Sequence, residues 1–117
     1  MFNSKIILDF WFKECNPKKW FKKEIEFDKL IKIRFQKTLK YCLENEINEN
    51  PLTKENYLSW IIVLDQFSRN IYRNQISSFA GDEKALKLSK IAIKKSFLKS
   101  YEDNYNSFFL MPFMHSE

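Results

Sequence analysis

The scarcity of glycine constrains the fold of this chain more than any other feature of its sequence. Its 117 residues include a single Gly, Gly81, and only three Pro. A sheet protein of this size needs several glycines at its turns, because many hairpin positions require a positive φ. Apolar residues make up 44% of the chain, with 12 Phe, so core material is plentiful and the composition is unlike that of a disordered chain. We therefore predict an all-α domain.

Apolar residues recur at helical spacing in several segments that are separated by short loops. Ser4, Thr53 and Asp82 stand where helix N-caps are expected. The run WIIVL in the middle of the chain could be a strand in isolation, but its context favours a helix buried on most faces. Helices of this length predict an antiparallel array, folded as one domain over residues 1–117. The predicted helices span roughly residues 4–14, 26–46, 54–72 and 83–97, with a fifth from about 103.

The N-terminus and the cysteines bear on the cellular compartment. The N-terminal apolar run contains Asp9 and lacks a small-residue cleavage site, so it is neither a signal peptide nor a membrane span. Cys15 and Cys42 are isolated and lack the spacing of a metal site or redox motif, which favours free thiols in a reducing compartment. We predict a cytoplasmic protein without membrane association, metal or cofactor.

The net charge of +5 comes from lysines that are scattered along the chain. Of the 20 Lys and Arg residues only three are Arg, and no aromatic and basic motif accompanies them. Such a surface attracts polyanions weakly but does not resemble a dedicated nucleic-acid interface. We predict no specific nucleic-acid partner.

The stretch LDQFSRNIYR, which begins at residue 64, concentrates the polar chemistry of the chain. Asp65, Arg69 and Arg73 are spaced four residues apart and form one column on a helix, with Gln66 and Asn70 on the adjoining strip. Leucine, phenylalanine and isoleucine lie between them, so part of the cluster is expected to be shielded from water. A shielded Arg needs a partner, because an uncompensated buried charge costs several kcal/mol.

Two interpretations of this cluster remain open. In the structural one, Asp65 and Arg69 tie the helix to its neighbours. In the functional one, Asp65 orients Arg69, while Asn70 and Arg73 donate hydrogen bonds to a carboxylate or phosphate, which planar Arg suits. Two of the three Arg lie in this stretch of an otherwise Lys-rich chain, which favours a geometric requirement.

The second candidate region is LMPFMHSE, at the end of the chain. Its His115 is the only His and therefore the only evident general acid/base near neutral pH, although a lone His is more often structural. His115 and Glu117 are two residues apart and would not face each other on a helix, which argues against a metal site. Ser116 lacks the GxSxG context of a nucleophile.

These blocks, together with FWF at residue 10, FD at residue 27 and FAGDEKAL at residue 79, occur in an order that resembles the bacterial family called domain of unknown function 924. The resemblance covers essentially the whole chain. It implies a tetratricopeptide-like array of helices, and it implies no established activity. By position, the polar signature of the family falls on Asp65, Gln66, Arg69, Asn70, Arg73, His115 and Glu117, and its aromatic signature on Trp11, Trp20, Phe21 and Phe27.

The chain departs from the family pattern in two ways. Ser68 stands where the family usually has Pro, so a bend after Phe67 is expected to be relaxed. Family members also continue past the HSE block into further helices, so we expect a domain that is incomplete at its C-terminus. Missing terminal helices leave an apolar face uncovered. A homodimer or a partner chain would then cover an exposed apolar patch. The predicted patch comprises Phe108, Phe109, Phe113 and Met114.

Three functions are compatible with these observations. The favoured one is a non-catalytic module that binds a small anionic ligand or an acidic peptide. The alternative is a hydrolase-type enzyme with His115 as general acid/base and Arg69 as charge stabiliser. The third is a remnant without present function. The predicted ligand-binding residues are Asp65, Gln66, Arg69, Asn70, Arg73, Trp11, Trp20 and Glu117, with Trp60 as a further aromatic wall.

Overall fold

A computed structural model describes residues 2–47 and 53–116 of the chain. Within these two ranges the chain forms five helical stretches and no strand, so the predicted all-α fold is confirmed. The predicted loop at residues 48–51 lies outside the described residues. The first stretch is α1 (Ser4–Asp9), which continues into a π-helical turn (Phe10–Glu14), and the second is α2 (Ile25–Glu44). The third stretch consists of α3 (Lys54–Ile61), a π-helical segment (Ile62–Phe67) and α4 (Ser68–Ile71). The last two are α5 (Asp82–Lys94) and α6 (Asp103–His115).

The helix starts follow local capping chemistry. Thr53 caps α3 as predicted, because its hydroxyl accepts a hydrogen bond from the Asn56 N–H at 3.1 Å. The predicted cap at Ser4 is wrong, since the Asn3 side chain accepts from the Ile6 N–H at 3.2 Å and Ser4 is already helical. The predicted cap at Asp82 is displaced by one residue, because α5 begins at Asp82.

The core is centred on the helix formed by residues 54–71. Every residue from 57 to 68 is buried, which confirms the prediction of a central helix enclosed on most faces. The predicted apolar stripe of α2 packs against it. The buried members of that stripe are Phe27, Ile31, Phe35, Leu39 and Cys42.

Contacts between helix ends show that neighbouring helices run in opposite directions. Asp28, near the start of α2, bonds to Arg73, just beyond the end of α4, with Oδ2 and Nε 2.6 Å apart. Tyr57, near the start of α3, has its ring centroid 5.5 Å from that of Phe97, just beyond the end of α5. Both α2 and α5 are therefore antiparallel to the central helix. A tetratricopeptide-like pairing of helices stays a prediction.

The C-terminal helix α6 corrects the predicted apolar patch. Phe108 and Phe109 are 1% and 0% exposed, so they do not belong to an open surface. The connector after α1 folds back over Phe108, and the Trp20 ring lies 5.0 Å from it, edge to face. Only Met114 is strongly exposed, at 68%, while Phe113 is half-buried. The predicted homodimer or partner chain stays a prediction, without this patch as its support.

Within the described ranges, no helix combines the length and apolar character that crossing a membrane requires. The predicted cytoplasmic location stays a prediction.

Candidate functional site

The polar stretch begins in the π-helical segment Ile62–Phe67, where backbone hydrogen bonds join residues five apart instead of four. Such segments leave backbone carbonyls without their regular partners. The Ser68 hydroxyl donates to the carbonyl of Leu64 at 2.6 Å and reaches that of Asp65 at 3.2 Å. A proline at this position could make neither bond, because it has no hydroxyl group. The chain remains helical at Ser68, with φ −61° and ψ −38°.

Asp65 is a buried carboxylate whose oxygens all have partners. Its side chain is 1% exposed. Oδ1 lies 2.8 Å from His115 Nδ1 and 3.2 Å from Arg69 Nη1, and Oδ2 accepts from Gln66 Nε2 at 2.7 Å. These contacts compensate the cost of burying the charge. The structure thus brings together four of the predicted residues, which with Asp82 form what we call the Asp65 network: Asp65, Gln66, Arg69, Asp82 and His115.

Arg69 uses its guanidinium fork inside this network. Nη1 and Nη2 donate to the two carboxylate oxygens of Asp82, at 2.8 and 3.0 Å, in a bidentate pair. Nη1 also donates to the Asp65 backbone carbonyl at 2.9 Å. The pairing joins the central helix to the first turn of α5. Arg69 is therefore committed to internal contacts, as the structural interpretation of the cluster expected.

Arg73 has a different environment, because its partner leaves one edge of the guanidinium unused. Asp28 accepts from Nε at 2.6 Å and from Nη2 at 3.0 Å, and the Asn70 amide donates to the same carboxylate at 2.9 Å. The hydrogen bond to Asp28 raises the pKa of Arg73, so the side chain stays charged. A guanidinium has five N–H groups. Among the described residues, none bonds to Nη1, so the N–H groups of the Nη1–Nη2 edge can donate to a planar or tetrahedral anion.

Arg73 is one of the residues that line a surface cavity of about 260 Å³. Three of its lining side chains are cationic, on Lys29, Lys32 and Arg73, against the single carboxylate of Asp28. Asn74, another lining residue, has a left-handed φ of 68°, a conformation that Asn tolerates better than most residues. Two larger cavities, of about 640 and 480 Å³, are lined by none of the predicted polar residues. The lining residues of what we call the Arg73 cavity are Ile25, Asp28, Lys29, Lys32, Asn70, Ile71, Arg73 and Asn74.

The predicted site is thus divided between the Asp65 network and the Arg73 cavity. The predicted aromatic walls do not line either part. Trp11 and Trp60 are 0% and 2% exposed and lie in the core, because both pack against other aromatic rings there. Trp20 is half-buried, and its Nε1 donates to the Trp11 carbonyl at 2.9 Å. Glu117 lies outside the described residues.

Sequence reasoning missed the acidic partners of both arginines. Asp28 and Asp82 are 45 and 13 residues away from their arginines in the chain, so no local pattern predicts the pairing. A signal was nonetheless present, since both acids fall in the FD and GD pairs of the family-like blocks. No such signal marks the cavity lysines, Lys29 and Lys32, because in the sequence they are two of many scattered lysines.

Comparison with known proteins gives a family without assigned chemistry. A model of the family described as "Bacterial protein of unknown function (DUF924)" matches residues 7–117. A solved structure of the protein of unknown function ATU0120 from Agrobacterium tumefaciens is similar, with 30% sequence identity and a TM-score of 0.88. The similarity covers 96% of this chain and 63% of the Agrobacterium chain, so this chain spans less than two thirds of that protein. No curated protein matches.

Proposed function

This chain belongs to the bacterial DUF924 family, and within that family we propose that it is a module that binds a small anion in the Arg73 cavity. The single observation that carries the proposal is the unused Nη1–Nη2 edge of Arg73, a residue that lines the cavity. The proposal keeps Asn70 and Arg73 from the predicted site and assigns Arg69 a structural role.

The Asp28 carboxylate makes Arg73 suitable for ligand binding. An Arg side chain has substantial rotamer freedom, and holding it in one orientation on binding costs free energy. Asp28 fixes the guanidinium before any ligand arrives, because its carboxylate accepts from Arg73 and is itself held by the Asn70 amide. A carboxylate or phosphate could then form two parallel bonds to the remaining edge without reordering the side chain.

The charges around the cavity favour an anion as well. Lys32 forms no ion pair within the described residues, and Lys29 has only a distant one, 3.9 Å from Glu26. Together with Arg73 they outnumber the one carboxylate that lines the cavity. These charges raise the local concentration of anions and speed their association at low salt.

The affinity of the Arg73→Lys variant tests the proposal. The variant keeps the charge but loses the fork, so we expect the affinity for phosphate or acetate, measured by calorimetry at low salt, to fall about tenfold or more, which corresponds to about 1.4 kcal/mol. Arg34→Lys is the matched control. Arg34 forms an ion pair with Glu14, with Nη1 and Oε1 3.1 Å apart, and it does not line this cavity. Unchanged affinity in Arg73→Lys would overturn the proposal.

Because Arg73→Lys also weakens the pair with Asp28, a second variant separates binding from folding. Lys32→Gln removes a cavity charge from an exposed side chain, so its stability should equal that of the wild type. Lys37→Gln makes the same change further along α2, outside the cavity. Weaker anion binding in Lys32→Gln alone supports the proposal, and equal affinities in both variants count against it.

A second candidate function rests on one further observation. His115 Nδ1 lies 2.8 Å from the buried Asp65 carboxylate, an arrangement that fixes the ring and leaves Nε2 for proton transfer. Under this proposal the chain is a hydrolase in which His115 is the general base. The test is hydrolysis of simple phosphate and acyl esters by wild type and by His115→Gln. Turnover that disappears in His115→Gln supports the enzyme, and equal turnover in both rules it out.

A further inference from the structure

We infer that the anion taken by the Arg73 cavity is a phosphoryl dianion, either free phosphate or the phosphate group of a monoester. This inference rests on the proposed function, and it adds the chemical class of the ligand. Three features of the cavity carry it: the balance of charge, the number of donors and the available volume.

The charge balance favours two negative charges over one. Lys29, Lys32 and Arg73 contribute three positive charges to the lining, and Asp28 contributes one negative charge. Glu26 lies outside the lining, with its side chain 87% exposed and its oxygen 3.9 Å from Lys29 Nζ. The lining residues therefore carry a net charge of +2, which a bound ligand could neutralise. A phosphate monoester carries about −1.5 to −2 at pH 7, whereas a monocarboxylate carries only −1.

The donors are arranged for more than two acceptor oxygens. The free edge of Arg73 can serve two oxygens of a ligand, as it would for a carboxylate. Lys29 and Lys32 lie one helical turn apart on α2 and add two ammonium groups on the same side as Asp28. A carboxylate bound to Arg73 through both oxygens would have to share those same two oxygens with the ammonium groups. A phosphoryl group offers three acceptor oxygens and can reach all of these donors.

The volume limits which part of a ligand can be enclosed. Binding sites for whole drug-sized molecules usually measure about 300–1,000 Å³. The Arg73 cavity, at about 260 Å³, falls below that range and fits a single charged group. The rest of an organic phosphate would remain in solvent. Ile25 and Ile71 are the apolar lining residues that its first carbon atoms could contact.

Calorimetric titration of the wild-type chain with four probes tests the inference. The probes are inorganic phosphate, methyl phosphate, acetate and the dicarboxylate malonate. We expect one or both phosphates to bind at least tenfold more tightly than acetate and several-fold more tightly than malonate. A higher affinity for methyl phosphate than for inorganic phosphate identifies an organic ester as the source of the ligand. The reverse order of affinities identifies free phosphate.

A pH series tests whether the bound form of the phosphate is the dianion. The second ionisation of a phosphate monoester lies near pH 6. Phosphate affinity should therefore fall several-fold between pH 7.5 and 5.5, while acetate affinity should change much less. Because histidine side chains in general also change charge in this pH range, the series is repeated with the His115→Gln variant as a control. His115 belongs to the Asp65 network and does not line the cavity.

The outcomes separate this inference from the proposed function. One outcome is that malonate or acetate binds as tightly as phosphate, while Lys32→Gln still weakens anion binding. This result overturns the phosphoryl class and leaves the proposed anion binding intact. Failure of all four probes to bind the wild-type chain overturns both. Phosphate binding that is equal in wild type and Lys32→Gln shows that the phosphate is held elsewhere, and it also overturns the inference.

Discussion

Gly81 lies directly against the backbone of Leu64, so closely that a Cβ on residue 81 would be 2.3 Å from the Leu64 carbonyl oxygen. The only glycine of the chain is thus a contact between the start of α5 and the π-helical segment of the central helix. Its φ of −95° is accessible to other residues, so the need for glycine is steric. This approach places Asp82 beside Arg69, and it therefore supports the Asp65 network.

The first prediction concerns this contact. Gly81→Ala should lower the free energy of unfolding by about 2–3 kcal/mol, because the added methyl group meets backbone atoms that cannot rotate away. Urea denaturation measures the loss. Ala80→Ser, at the exposed neighbouring position, should leave the midpoint nearly unchanged. Equal midpoints for wild type and Gly81→Ala would show that α5 does not approach the central helix as described.

The second prediction concerns the buried charge of Asp65. Asp65→Asn should destabilise the chain by about 3 kcal/mol, since one amide oxygen cannot replace the buried carboxylate in its contacts with Gln66, Arg69 and His115. His115→Gln should cost less, because its side chain is 26% exposed and water can replace the lost contact. A double-mutant cycle on the two residues should give a coupling energy above about 0.5 kcal/mol. A coupling of zero would contradict the contact.

The third prediction concerns Lys84, which caps the C-terminus of α2 from a neighbouring helix. Its Nζ donates to the carbonyls of Cys42 at 3.0 Å and Asn45 at 2.6 Å. Lys84→Gln should cost about 1 kcal/mol in thermal or urea denaturation, because no backbone N–H of the described residues bonds to either of these carbonyls. Lys87→Gln, on the exposed face of the same helix, is the control and should be neutral. Identical losses in the two variants would exclude a specific capping role.

The fourth prediction concerns the thiols. Burial, and secondarily Glu14, raises the pKa of Cys15 to about 11, and burial likewise raises the pKa of Cys42. Alkylation by iodoacetamide at pH 8 should therefore be many-fold slower in the native chain than in urea, because the thiolate is the reactive form. Fast native labelling of Cys15, the less buried of the two, would contradict this assignment.

The raised pKa of Cys15 also determines how its contribution to stability changes with pH. The folded state holds the Cys15 proton more tightly than the unfolded chain, so this contribution to stability is present below about pH 9. It is lost as the pH rises towards 11. Cys15→Ser should reduce the decline in urea midpoint over that interval. An identical decline in wild type and Cys15→Ser would show that other groups cause it.

The helices were predictable because their determinants are local. The apolar spacing of α2 and the Thr53 cap lie within single segments, and the structure has both. The π-helical segment was not predictable in this way. Residues 62–67 have the apolar character of an ordinary buried helix, and no periodicity distinguishes the π-helical segment from it.

The candidate site was predictable in its residues but not in its partition. Arg69 and Arg73 occupy the same column and looked equivalent in the sequence. Their difference comes from Asp82 and Asp28, which reach them from other helices. The exposure of Phe108 was mispredicted for a similar reason, because the covering Trp20 comes from a distant connector.

Nuclear magnetic resonance with ¹⁵N-labelled arginine tests the central claim most directly. The chain has three Arg, so its spectrum should contain three Nε–H signals, and Arg73→Lys identifies the one from Arg73. On titration with methyl phosphate, we predict that the Arg73 signal shifts saturably while those of Arg34 and Arg69 stay in place. A shift at Arg69 or Arg34 without one at Arg73, or no shift at any of the three, would contradict anion binding in the Arg73 cavity.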